Sequence, residues 1–142
     1  MKAAHLIPAE SLKYMVLAEK QHKGAAFTVR SVKTGKDYTY KIKRTEFGGK
    51  WYTHIYVEVR YLEFKYLGVY KNGHLYYKQQ LVDSPSAIAI AYVLRKIVGE
   101  QYALLSEQVE VMALGKCLCC GRALTDADSI AAGIGPVCRS LN

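Results

Sequence analysis

Residues 51 to 60 read "WYTHIYVEVR" and alternate cleanly. Trp51, Thr53, Ile55, Val57 and Val59 fall on one side, and Tyr52, His54, Tyr56, Glu58 and Arg60 on the other. A period of two is the mark of a strand with one buried face. The neighbouring segments carry the same signal. "AAFTVRSVK", the turn "TGKD" and "DYTYKIKR" predict a hairpin, and "EFGGK" predicts a second turn into residue 51. "FKYLGVY" and "HLYYKQQL" flank "KNG", where Asn72-Gly73 suits a two-residue hairpin loop because both residues tolerate positive φ.

Two stretches carry a helical period instead. "PAESLKYMVLAEKQHKG" has Pro8 near its start, Glu10 in its first turn, and Lys20, His22 and Lys23 before Gly24, which suits the helix dipole at both ends. Its apolar stripe of Leu12, Met15 and Val16 is short. "DSPSAIAIAYVLRKIVG" is the stronger candidate. Ser84 can cap it, Pro85 fits the first turn, and Gly99 can end it. Ile88, Ala91, Tyr92 and Arg95, with Leu94, Ile97 and Val98, recur at helical spacing and predict the covered face. "YALLSE" predicts a further helical turn, and "VEVMAL" a short strand leading into a cysteine cluster.

The fold class expected is therefore α+β. An antiparallel sheet of about five strands carries one long helix packed on it, and a small zinc-binding tail of knuckle and short helices follows. The division expected is residues 1–110 for the sheet-and-helix body and 111–142 for the Cys-rich tail. At 142 residues the chain is long enough to bury a core without covalent staples. No export signal is expected. The longest uncharged run, Ser84 to Leu94, is far shorter than the ~20 residues that span a bilayer. This points to a protein of the cytoplasm.

Charge sharpens the picture of the sheet. The net charge is +8, but residues 20 to 80 hold 13 Lys or Arg against 4 Asp or Glu, so the excess lies there. Nine of the 12 tyrosines lie between 38 and 77. By alternation, Arg30, Lys41, Lys43, Tyr52, His54, Tyr56, Arg60, Tyr76 and Lys78 share the exposed side. Aromatic rings interleaved with cations suit nucleic acid, single strands above all: bases stack, and cations follow the phosphates. Tyrosine is also a good strand former, so an ordinary solvated or protein-binding face has the same composition. His54 and His74 read first as surface residues.

All four cysteines lie in "GKCLCCGRALTDADSIAAGIGPVC", residues 115 to 138. A cluster this compact cannot tie distant parts of the chain together by disulfides, so metal binding is the better reading. Cys117 and Cys120 form a C-x2-C knuckle, with Gly121 allowing a sharp reversal. Thr125 to Asp128 matches a capping box, Gly133 ends a short helix, and Pro136 opens a turn that carries Cys138. Cys117, Cys120 and Cys138 are three ligands, with Zn2+ the expected ion. The position three before Cys138 is Gly135, so the fourth ligand is open. It can be Cys119, a histidine (His54, His74, His22 or His5), a group from a second molecule, or water. Adjacent cysteines rarely both reach one metal, so Cys119 suits packing better.

The pattern C-x2-CGR-x-LT-x3-S-x3-G-x-GP-x-C resembles the C-terminal signature of an uncharacterised domain family common in bacteriophage and actinobacterial proteins. Cys117, Cys120, Gly121, Arg122, Leu124, Thr125, Ser129, Gly133, Gly135, Pro136 and Cys138 carry the match. The body is similar, more weakly, to phage proteins with this tail. The resemblance implies metal binding by the three cysteines and no particular activity. Members often have a histidine shortly before the first cysteine, and "VMALGK" has none.

An enzyme is not expected. The deaminase pattern H-x-E with P-C-x2-C is absent, as are a P-loop, G-x-G-x2-G and H-E-x2-H. The leading expectation is a non-enzymatic, phage-type zinc protein that binds DNA or RNA through the basic sheet face. One alternative is a phage protein that docks on an acidic host protein surface, for example to inhibit a defence system. Another is a structural or dimerisation module.

Overall fold

The computed structural model describes residues 4–19, 24–71, 74–77 and 84–139. Among these residues, seven strands form a single antiparallel sheet: β1 (His5–Ile7), β2 (Phe27–Ser31), β3 (Asp37–Phe47), β4 (Lys50–Arg60), β5 (Glu63–Lys71), β6 (His74–Tyr77) and β7 (Val109–Ala113). Their spatial order is β1-β7-β2-β3-β4-β5-β6. The expected five strands are thus corrected to seven. The meander from β2 to β6 follows the local pattern, whereas β7 returns from late in the chain to pair with both β2 and β1. The helices differ as well. Among the described residues a 3-10 turn (Ala9–Leu12) and five α-helices are present: α1 (Lys13–Val16), α2 (Pro85–Val98), α3 (Tyr102–Gln108), α4 (Ala127–Ala132) and α5 (Pro136–Arg139). One long helix on a sheet does not describe this set. None of the described helices is long and apolar enough to cross a membrane.

The first helical segment is much shorter than its sequence suggests. It breaks after Val16, and the Ala18 carbonyl accepts a hydrogen bond from Arg44 Nε at 2.8 Å rather than continuing the helix. Leu12, Met15 and Val16 are buried as the stripe predicts. The proposed end at Lys20, His22 and Lys23 lies outside the described residues.

The hairpin between β3 and β4 closes on Gly48-Gly49, with φ of 60° and 80° and Phe47 opposite Lys50. Positive φ at both loop residues matches the strand twist and is nearly free of cost only for glycine. β5 and β6 pair with Lys71 opposite His74. Asn72 and Gly73 themselves lie outside the described residues.

α2 covers the apolar face of the sheet. Ser84 Oγ accepts from the Ala87 N–H at 3.2 Å, and Pro85 sits in the first turn. The buried stripe is Ala87, Ile90, Ala91, Val93, Leu94 and Ile97. Ile88 and Val98, expected in the covered face, are exposed. The covered stripe is set by the elements that pack against α2, namely α1, α3 and β6, and Tyr40 from the sheet donates from its hydroxyl to the Ser86 carbonyl at 2.7 Å. Gly99 closes the helix at φ −82°, and the left-handed step falls on Glu100 at φ 56°. Phe27, Tyr40, Ile42, Ile55, Leu67 and Val111 meet this helix layer in one core. Burying each of these side chains contributes ~1.5–3 kcal/mol against exposure.

That core continues into the C-terminal segment. Cys117, Leu118, Cys119, Leu124 and Ile134 belong to the same buried cluster. The chain entering β2 also pairs with the segment directly: Gly24 N–H donates to the Cys119 carbonyl at 3.1 Å, and Ala25 N–H to the Leu118 carbonyl at 2.9 Å. Gly24 has φ +70°, and any side chain there would run into the Ile42 carbonyl.

Candidate metal centre and nucleic-acid interface

The cysteine segment first folds back on itself. Lys116 bridges to Ala123, Cys117 N–H donates to the Arg122 carbonyl at 2.8 Å, and Gly121 N–H donates to the Cys117 carbonyl at 2.9 Å. Gly121 takes φ +78°, the left-handed step that a tight knuckle requires. α4 follows. Its cap is Asp126, whose side chain accepts from the Ser129 N–H at 3.0 Å, so the cap lies one residue later than the Thr125 box predicts. The same bond holds the Asp126 carboxyl below its ordinary pKa. Gly133 ends α4 at φ 75° and leans on β1: a Cβ there would lie 2.8 Å from Ile7 Cδ1. Gly133 also anchors the knuckle, since its carbonyl accepts from the Leu118 N–H at 2.9 Å. α5 opens at Pro136 and carries Cys138.

These turns bring Cys117, Cys120 and Cys138 together, with all three sulfur atoms within 4.8 Å of one another. Cys117 and Cys138 are buried, and Cys120 is exposed. The donor set fits a thiophilic divalent ion. Sulfurs around a tetrahedral ion with Zn–S bonds near ~2.3 Å stand roughly 3.8 Å apart, so small movements close this triangle. The local field favours the thiolate. Burial pushes the Cys117 thiol up, but N–H groups of Cys120, Gly135 and Cys119 outweigh it, and its pKa lies below the ordinary value. One of those donors, Gly135 N–H, lies 3.4 Å from Cys117 Sγ. Amide donors to a ligating sulfur disperse its charge and orient it. The three cysteines can therefore hold a metal ion.

Among the described residues, none of the protein candidates for a fourth ligand joins this group. The Cys119 thiol donates to the Tyr14 carbonyl at 3.2 Å and packs between segment and body. His54 lies in β4 with Nε2 2.8 Å from Thr45 Oγ1 and Nδ1 3.1 Å from the Tyr66 hydroxyl. His5 Nε2 donates to the Ile130 carbonyl at 2.8 Å, which ties β1 to α4. His74 is in β6, and His22 lies outside the described residues.

The second set of residues shares one face of the sheet. Register places Lys41 opposite Tyr56, Lys43 opposite His54, and Tyr56 opposite Tyr66. Tyr76 lies opposite Val69 on the same side. Arg30 is on this face, but Glu110 neutralises it at 3.0 Å. Arg60, at the end of β4, lies 3.8 Å from Glu63 and is largely exposed. Lys78 lies outside the described residues. Three residues that alternation alone did not identify complete the surface. Phe64 sits under Lys41 Nζ at 4.6 Å; Tyr66 meets Tyr56 edge-on at 5.3 Å; Lys71 Nζ stands 5.6 Å from the Tyr52 ring and 5.2 Å from the Tyr76 ring. A register shift between Ile55 and Tyr56 breaks the alternation of β5, so its outward residues cannot be counted from a period of two. The unusual composition of "FKY" beside basic strands is the signal that remains. At the rim, a cavity of about 330 Å³ is lined by Lys41 and Phe64 from this side and Lys116 and Gly121 from the knuckle.

Comparison with known proteins reaches only the C-terminal segment. A family of unknown function, DUF6011, matches residues 110–141, which include all three clustered cysteines. No curated protein and no solved structure matches the chain.

Proposed function

We propose that this protein is a non-enzymatic nucleic-acid binder whose C-terminal segment is held by a structural Zn2+. The observation that carries the reading is the basic sheet face, where Lys41, Lys43 and Lys71 stand among Tyr52, Tyr56, Phe64, Tyr66 and Tyr76. Single strands suit it best. Each base stacked on an aromatic ring contributes ~1–3 kcal/mol, and the lysines neutralise phosphates between the rings. Cys117, Cys120 and Cys138 would supply three zinc ligands. The ion would stabilise a segment whose two helices span only six and four residues. Helices this short do not persist alone, and structural zinc supplies ~10 kcal/mol or more of folding free energy in small sites. In this reading the protein works in the bacterial cytoplasm, in keeping with the phage resemblance.

Oligonucleotide titration at several salt concentrations tests it. Affinity for single strands should fall with a log–log slope of about −0.7 per phosphate contacted. Changing Lys41, Lys43 and Arg60 together to Glu should abolish binding. Absence of binding to any oligonucleotide in low salt refutes the proposal. A second reading, docking on an acidic host protein surface, is favoured by the exposed apolar side chains Phe47, Tyr61 and Leu62 at the strand ends. It predicts a bacterial partner that survives nuclease treatment in a pull-down.

A further inference from the structure

Arg44 is in an unusual position for a cation. It is only 8% exposed, yet no described carboxylate forms an ion pair with it. Its Nε donates to the Ala18 carbonyl and its Nη1 to Thr53 Oγ1, both at 2.8 Å, and both acceptors are neutral. Burial disfavours the guanidinium charge more than nearby Glu19 restores it, and an anion brought to Arg44 recovers part of that cost. Arg44 lines a cavity of about 660 Å³ at the end of the sheet where the β3–β4 and β5 strands meet α1. Ligand sites are commonly ~300–1,000 Å³. Lys50 and Lys71 line the same cavity, and Glu19 is its one acidic residue among those described. Its aromatic walls are Trp51, Tyr52 and Tyr70, and the Arg44 guanidinium lies 5.6 Å from the Trp51 ring. The space exceeds what inorganic phosphate needs, and rings stand beside the cations.

We propose that this cavity binds a phosphorylated nucleoside, its phosphate toward Arg44 and its base against Trp51, with Lys50 and Lys71 at the cavity's edge adding attraction for the anion. The guanidinium fork suits phosphate oxygens, and aromatic faces accept any base. The ligand is either a free mononucleotide or the 5′-terminal residue of a strand. The proposal stands apart from the sheet-face reading, although Tyr52 and Lys71 border both.

Trp51 is the sole tryptophan of the chain, so its fluorescence reports on this cavity directly. The probes are adenosine 5′-monophosphate, adenosine, and one oligonucleotide with and without a 5′-phosphate, in low salt. The phosphorylated probes should change Trp51 emission saturably and adenosine should not. A response to the mononucleotide indicates a free ligand; a response confined to the 5′-phosphorylated strand indicates a strand end. Lys50→Ala with Lys71→Ala should weaken the response at least about tenfold, the scale of one lost charge-assisted hydrogen bond. Arg44→Gln should abolish it if that variant melts cooperatively, and the lysine pair decides the matter if it does not. The proposal is overturned by an equal response to adenosine, by no saturable response to any phosphate-bearing probe, or by indifference to the lysine pair.

Discussion

Substituting Gly133 by alanine tests whether the C-terminal segment is seated on the body as described. Gly133 has φ +75°, and a Cβ there would stand 2.8 Å from Ile7 Cδ1 and 3.2 Å from Ile7 Cγ2. Left-handed backbone costs an alanine ~1–2 kcal/mol. Displacing the flexible end of Ile7 adds about 1 kcal/mol of overpacking, and the stiffer unfolded chain returns ~0.5–1 kcal/mol. The net loss is about 2 kcal/mol. For a chain of 142 residues the unfolding entropy is about 0.3 kcal/mol/K, so the melting temperature should fall by about 7 °C. Thermal and urea melts of the zinc-saturated protein measure this. Ile7→Val removes the nearest atom and by itself should cost ~0.5–1.5 kcal/mol. If the contact is real, the double variant is less destabilised than the sum of the singles by about 1 kcal/mol. Strict additivity would refute the seating of α4 on β1, and with it the account of how Cys138 is brought to the knuckle.

Other measurements bear on other parts of the molecule. Cys138→Ser should lower bound zinc, determined by elemental analysis, well below one per chain; Cys119→Ser should retain it, because the Cys119 thiol is directed to the Tyr14 carbonyl. Equal loss in both variants would count against the three-cysteine centre. Tyr40→Phe should cost about 1 kcal/mol in urea unfolding with an unchanged m-value, since it removes the hydroxyl's bond to the Ser86 carbonyl; no loss would remove that bond from the account. Burial, aided by nearby Lys43, holds the His54 imidazole below its ordinary pKa of 6.5. The unfolded chain therefore takes the proton first as pH falls. The stability contributed by the neutral ring is complete above about pH 6.5 and is lost as pH falls toward the folded value. Melting temperatures between pH 7.5 and 5.5 should drop further for the unmodified protein than for His54→Gln, and parallel curves would contradict this.

Much of the local structure is legible along the chain. The alternation of residues 51–60 correctly separates Tyr52, His54 and Tyr56 from the buried Thr53, Ile55 and Val57. The Ser84-Pro85 start of α2 is where the capping residues place it. In each case one short window holds both the signal and its cause. The failures have nonlocal causes. The segment after Pro8 has a short helical stripe and end signals as far as Gly24, but the helix stops after Val16 and the Ala18 carbonyl is taken by Arg44. The covered face of α2 is set by α1, α3 and β6, which pack against it from other parts of the chain.

For the candidate sites the division is similar. Sequence alone determined which sulfurs can meet, because ligand spacing, a permissive glycine and a proline-led turn all lie within 22 residues. It also determined that cations and tyrosines would share a strand face, since that depends only on a period of two. Tertiary structure alone decided that β7 lies between β1 and β2, that Cys119 turns toward Tyr14, and that Arg44 is enclosed beside Trp51. Strand neighbours and buried charges are set by which distant surfaces exclude water together, and no local pattern encodes that choice.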